Sequence, residues 1–261
     1  MTKKEATKYF DKEWTKMKAG LKSFLIKGDQ EDLHGFRVQV KKLRAFLIFL
    51  ESAADDHKLT RNFKPVRKIF KRAGEIRTAY INQELGKTLK IGQHEFIESQ
   101  RQIQLENTKK FNSKKVRFLK ELKDTRRVLR KKIKPVSDIH INLFYQNQLH
   151  EIATFMEELK FNEQLHECRK MVKVLLYNHK PAHAALSSAL NEEYLENVQT
   201  AIGDWHDHIL TLNLLSGDNS IADHPTLQRG SSKLKKKIIT LSKDFYNQAT
   251  TTVELPLEQI S

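Results

Sequence analysis

Cysteine occurs once in the 261-residue sequence, at Cys168, so neither an intrachain disulfide nor a cysteine-rich zinc module can form. Nine glycines and five prolines amount to about half the share of a typical globular chain. Few breakers mean few turns, which disfavours a sandwich or barrel of many short strands. The longest unbroken apolar run, Ala45 to Leu50, is far too short to span a bilayer. The N-terminal MTKKEATKYFDKEW is basic but has no apolar h-region, so it reads as no secretory signal and a cytoplasmic location is expected. There is no Walker loop, GxSxG elbow, HExxH pair or dinucleotide fingerprint, and no nucleophile constellation stands out.

What is present is core-forming apolar content and a large positive charge. Apolar residues make up 39% of the chain and include 14 Phe, enough for a real core despite 30% charged residues. The length suits one or two domains. The net charge of +15 is distributed unevenly: 36 Lys and Arg face 16 Asp and Glu through Lys134, against 11 and 16 after it. A one-sided excess repels itself and calls for a polyanionic partner. Nucleic acid, an anionic membrane surface and inorganic polyphosphate all fit, and solvated basic helix faces are the plainer alternative.

Helical periodicity dominates the chain. Trp14, Met17, Leu21, Phe24 and Leu25 mark a first amphipathic helix closed near Gly28. Asp29 or Asp32 can cap a second, running to about Ala53. A third is expected from about Asp56 to Leu89, with Pro65 kinking it or delaying its start, and a long fourth from about Gln93 to Lys134, ended by Pro135. Asp138 opens a fifth through Leu159, and Asn162 a sixth through about Asn178, with a break around Pro181. Ser187 or Ser188 starts a seventh to about Leu215, the polar loop SGDNS follows, and Pro225 begins an eighth to about Ala249. The expected fold class is all-α, with eight main helices in two antiparallel four-helix bundles, 1–134 and 135–250, and a tail at 251–261.

An internal repeat supports that division. LHGFRVQVKKLR from Leu33 aligns with LHECRKMVKVLL from Leu165, pairing His34 with His166, Arg37 with Arg169 and Lys41 with Lys173. GEIRTAYI from Gly74 aligns with GDWHDHIL from Gly203 at nearly the same offset. With about 100° per residue and His34 at zero, Arg37 lies at about −60°, Lys41 at about −20°, Arg44 at about −80° and Lys42 at about 80°. Phe36, Val40, Leu43, Phe46, Leu47 and Leu50 take the opposite side. From His166, Arg169, Lys173 and Lys170 form the same stripe, with Cys168, Met171, Val172 and Leu175 behind them. Arginine grips phosphate oxygens with a two-pronged donor geometry and lysine supplies point charge, so each stripe suits a row of phosphates. On helix four, Lys114, Lys115, Arg126 and Arg130 flank an apolar line, whereas Lys123, Arg127 and Lys131 point away. Lys233, Lys235, Lys236 and Lys237 make a weaker version on helix eight.

Neither His34 nor His166 has a second histidine or carboxylate at metal-ligand spacing on its basic face, so no metal is expected. Their place on the stripes fits donation to an oxyanion. His206 and Asp207 diverge by about 100° on one helix, which leaves Asp207 as an interhelical partner for basic groups.

These motifs, LHGFRVQVKKLRAFLIFLE, LHECRKMVKVLLY, GEIR and GDWHD, resemble the CHAD family, the conserved histidine α-helical domain. The resemblance spans nearly the whole chain. It implies two four-helix bundles about a pseudo-twofold axis, with a basic central groove that binds inorganic polyphosphate without catalysis or cofactor. Many CHAD domains are fused to a triphosphate tunnel domain; this chain looks like a stand-alone member, with association to polyphosphate granules as a further expectation. The family often carries aspartates where Thr78 and Tyr80 follow Arg77, and an arginine where Leu176 stands. The candidate polyphosphate-binding residues are thus His34, Arg37, Lys41, Lys42, Arg44, Arg77, His166, Arg169, Lys170 and Lys173, with Lys114, Lys115, Arg126 and Arg130 added from helix four. Nucleic-acid binding is the alternative, and it calls for aromatics interleaved with the cations, of which the stripes hold none before Tyr177. A metal-dependent phosphohydrolase would need clustered carboxylates and histidines, approached only between Asp204 and His208.

Overall fold

Thr2 and Glu5 cap each other at the head of the first helix: the Thr2 hydroxyl accepts from the Glu5 N–H, and the Glu5 carboxylate accepts from the Thr2 N–H at 2.7 Å. That helix, α1 (Lys3–Lys27), ends where Gly28 takes the left-handed conformation at φ 72°, as a glycine C-cap does. The Asp29 carboxylate then accepts from the Glu31 and Asp32 N–H groups and starts α2 (Gln30–Ala54). The computed structural model describes residues 1–54, 58–88, 94–215 and 225–251. Its described chain is all-α apart from one two-residue ladder, and it divides into two compact units, Met1–Val136 and Ser137–Ser261.

In the first unit a short α3 (Leu59–Asn62) precedes α4 (Lys64–Thr88). Pro65 therefore delays the helix without kinking it, because a proline in the first turn gives up an N–H that has no intrahelical partner. The expected opening at Asp56 and the end at Leu89 lie outside the described residues. The expected fourth helix is two, α5 (His94–Asn112) and α6 (Lys115–Lys132). At the break the Ser113 hydroxyl donates to the Lys110 carbonyl at 3.0 Å and the Lys114 N–H to that of Phe111 at 3.1 Å, local bonds that compete with the helical ladder. The start near Gln93 is also outside the described residues. α2 packs on α1 and α4, and α5 packs on α4. The core of this unit is ring-rich: Trp14 meets Phe10 and Phe63, and Phe111 meets Phe24 and Phe118.

In the second unit Ser137 caps α7 (Asp138–Glu157) and Asn162 caps α8 (Glu163–Ala182). α8 runs past the break expected at Pro181, which sits at its next-to-last position, and a 3-10 turn, His183–Ala185, follows. Ser187 and Ser188 do not start the next helix. The Ser187 N–H and hydroxyl both donate to the Asn142 side chain of α7 at 2.8 Å, and the chain continues into strand β1 (Ala189–Leu190). Asn191 then caps α9 (Glu192–Leu215), accepting from the Tyr194 N–H. The SGDNS loop lies outside the described residues. The expected eighth helix is again two, α10 (Pro225–Ser242) and α11 (Phe245–Ala249), separated at Asp244, whose φ of 51° is left-handed. Strand β2 (Thr250–Thr251) pairs antiparallel with β1, so Thr251 does not belong to a tail; 252–261 lie outside the described residues. α8 packs on α7 and α9, burying Leu165, Cys168, Val172 and Leu175 but leaving Met171 only half-buried. Burial pushes the Cys168 thiol up to about 12, so it packs as a small apolar group and not as a nucleophile. Among the described residues no helix is long and apolar enough to cross a membrane.

Candidate functional site

On α2 the apolar arc from Leu33 to Leu50 is buried, while His34, Lys41 and Arg44 are exposed and Arg37 and Lys42 half-buried. On α8 Lys170 is exposed, and His166, Arg169 and Lys173 are half-buried. Each helix thus presents a cationic face over its own unit's core.

The two motif arginines do more than face solvent. The Arg37 Nη1 donates to the Phe70 carbonyl of α4 at 2.9 Å, and its guanidinium lies 4.3 Å from the Phe70 ring centroid. It rests on Gly74, where an added Cβ would stand 2.5 Å from Nη1. In the second unit the Arg169 Nε donates to the Gln199 carbonyl of α9 at 3.0 Å, and a Cβ at Gly203 would collide with that guanidinium. Each arginine therefore binds the carbonyl one turn before a repeated glycine, and the missing side chain is what admits it. The glycine landmarks are the receiving halves of two arginine clamps.

Arg77 closes over the start of α2. Its Nη1 lies 3.4 Å from both the Gln30 carbonyl and a Glu31 carboxylate oxygen, and its guanidinium sits 5.0 Å from the Tyr80 ring centroid. His34, Arg37 and Arg77 thus gather at one end of α2. Burial, followed by the charge of Arg77, holds both the His34 imidazole and the Arg37 guanidinium below their ordinary pKa. In the second unit His166 stacks on His206 of α9 at 4.3 Å, a partner that sequence periodicity did not single out. Burial, then Lys170 and His206, lowers the His166 pKa, and its Nδ1 is buried without a hydrogen-bond partner. Burial and Arg169 lower the Lys173 pKa, while Glu196 and Asp207 act in the opposite sense; Asp207 itself lies 3.7 Å from His206 on its own helix. Lys170 pairs with Glu167 on its own helix. Among the described residues no group of three or more His, Cys, Asp or Glu could hold a metal ion.

These histidines give a pH prediction. An anion bound beside His34 and His166 favours their charged forms, whereas the free protein favours the neutral ones. Affinity for a polyanion should therefore rise by at least about threefold as pH falls from about 8 to about 5.5, through the imidazole range. Without ligand the sign reverses for stability: the unfolded chain takes up the protons first, so the fold weakens over the same window. Titrations at several pH values check this, and the profile should flatten in the His34→Gln, His166→Gln double variant.

A trough of about 600 Å³ lies between α2, α3 and α4 in the first unit. Lys41 and Arg44 line it from α2, Arg61 from α3, and Lys64, Arg67, Lys68 and Lys71 from α4. No carboxylate is among its described lining residues. The α4 cations were missed at the sequence level, although the run KPVRKIFKR obeys the same stripe rule that identified α2. The helix-four candidates separate. Lys114 is half-buried at a second concavity and Lys115 is exposed, but Arg126 and Arg130 both bind the Asp11 carboxylate of α1 at 2.9 Å and tie α6 to α1.

A family model described as the CHAD domain matches residues 8–216. The crystal structure of the CHAD domain from the plant Ricinus communis superposes with a TM-score of 0.64 at 14% identity, covering 97% of this chain and 94% of that one. At that identity the likeness speaks for the fold alone. No curated protein matches the chain.

Proposed function

The chain belongs to the CHAD domain family, and from that premise we propose that it is a non-enzymatic binder of inorganic polyphosphate, which the basic faces of α2 and α4 take up in the first unit, with the basic face of α8 a separate surface of the same kind in the second. The observation that carries the reading is the cationic trough beside α2, with no carboxylate among its described lining residues. A row of fixed ammonium and guanidinium groups neutralises closely spaced phosphates along a chain and offers no nucleophile or general base to cleave it. Aromatic rings stand among these cations. Phe70, Tyr80 and Tyr177 are half-buried and lie beside Arg37, Arg77 and Lys173, at 4.3, 5.0 and 5.8 Å from ring centroid to cation. Phe70 lines the trough, and a nucleic-acid ligand would also use rings set among cations, so competition between the two polyanions decides the ligand. The reading also places the protein in the cytoplasm, on polyphosphate granules.

Displacement of labelled long-chain polyphosphate by single-stranded DNA, RNA and tripolyphosphate tests this. Polyphosphate should bind at or below the hundred-nanomolar range, about −9.5 kcal/mol, with DNA of matched charge at least tenfold weaker. Affinity should fall with salt by several log–log units, as counterions are released. Equal affinity for DNA would replace the proposal with nucleic-acid binding. Phosphate release in the presence of magnesium or manganese would make the protein an enzyme.

A further inference from the structure

The first half of α4 carries more cations than one trough uses. Placed at about 100° per residue from Lys64, the residues Arg67, Lys68, Lys71 and Arg72 span roughly −60° to 80°, opposite buried Val66, Ile69, Ala73 and Ile76. One flank of this ridge is the trough toward α2 and α3. The other flank is a second concavity of about 550 Å³ between α4, α5 and α6, lined by Lys68, Lys71, Arg72, Lys110, Lys114 and Arg117, with Glu75 the one carboxylate among its described lining residues. Lys68 and Lys71 line both. The α5–α6 break falls at this place, so Lys110 comes from one helix and Arg117 from the next, with Lys114 between them. Lys110 and Arg117 pair with Glu106 and Glu121 four residues away on their own helices; both cations are exposed, so a phosphate chain can compete for them at little cost. The Phe111 ring beneath is buried, so it gives a base nothing to stack on.

We propose that a polyphosphate chain crosses the α4 ridge, running from the α2–α3 trough over Lys68 and Lys71 into the α5–α6 trough, so that the first unit selects long chains over short ones. The inference rests on the polyphosphate reading and adds to it a second trough and a length preference. A short chain fills one trough; only a long one can use both and the two lysines they share.

The test is the full-length variant Arg72→Ala, Lys110→Ala, Lys114→Ala, titrated with tripolyphosphate and with long-chain polyphosphate. The expected result is a loss of about tenfold or more for the long chain, and a salt slope lower by about two units for three lost phosphate contacts. Tripolyphosphate should change by less than about threefold, because the other trough still accommodates it. A glutamine version at the same three positions keeps the side chains' bulk and should show the same loss with unchanged helicity by circular dichroism. Unchanged long-chain affinity in both variants overturns the crossing while the proposed function stands. Failure of the unaltered protein to bind polyphosphate overturns both. A loss for single-stranded DNA equal to that for polyphosphate overturns the assignment of the second trough to polyphosphate.

Discussion

Alanine at Lys41, Arg44, Lys64 and Arg67 should weaken long-chain polyphosphate binding at least thirtyfold at low salt, a loss of about 2 kcal/mol. All four side chains are exposed and line the trough beside α2, so their removal takes away phosphate donors without opening the core. The comparison that gives the result meaning is a second quadruple variant at Lys123, Arg127, Lys131 and Lys134, all exposed on or just after α6. It removes the same formal charge and should cost less than about threefold, because only the long-range field changes. Both proteins should stay helical, and each should melt at the same temperature as the parent or above it, since a chain of net charge +15 gains from losing like-charge repulsion. Equal losses of affinity in the two variants would mean that the protein attracts polyanions through net charge alone, with no defined site.

Arg37 and Arg169 are left out of that experiment for a structural reason. Their guanidinium groups hold the backbone of a neighbouring helix, so replacing them confounds lost ligand contact with lost packing. The distinction was beyond local pattern reading. Helical periodicity places Arg37 on the polar side of α2, but its acceptor is the Phe70 carbonyl, far along the chain, and the space it occupies exists because residue 74 is glycine. Gly74 and Gly203 were visible as repeat landmarks, yet nothing in their spacing says which side chain each receives. The same divide runs through the fold. Gly28, Asp29, Ser137 and Asn162 set helix ends with their own neighbours, and those ends are legible from a few residues. The start of α9 is not. Ser187 bonds to Asn142 and Ala189 pairs with Thr251, so distant partners take the serines away from the capping role they would otherwise suit. The α4 stripe obeys the same geometry as α2 but carries no histidine and belongs to no repeat, the two marks that set the α2 and α8 stripes apart in the sequence.

Glycine-to-alanine changes at the two clamps should destabilise the protein, against the ordinary expectation for a helix interior. Alanine in place of an interior helical glycine is normally favourable by about 1 kcal/mol. At Gly74 the new methyl must displace the Arg37 guanidinium, forfeiting a charged hydrogen bond of about 1.5–3 kcal/mol and a cation–π contact of about 0.5–1 kcal/mol. The long side chain can swing outward, so the balance is a net loss of about 1 kcal/mol, a fall of a few degrees in melting temperature. Gly203→Ala should cost more, about 2 kcal/mol, because there the new methyl would meet the Arg169 Cζ at 2.6 Å and Nε at 2.9 Å, atoms nearer the stem that cannot swing clear so easily. The decisive measurement is a double-mutant cycle by chemical denaturation. On an Arg37→Ala background the guanidinium is gone, the Phe70 carbonyl keeps its helical partner, and Gly74→Ala should become stabilising by up to about 1 kcal/mol. The same reversal is expected for Arg169→Ala with Gly203→Ala. A glycine substitution that has one sign regardless of the arginine would show that the two are neighbours without being a clamp, and would return Arg37 and Arg169 to the set of ordinary phosphate-facing cations.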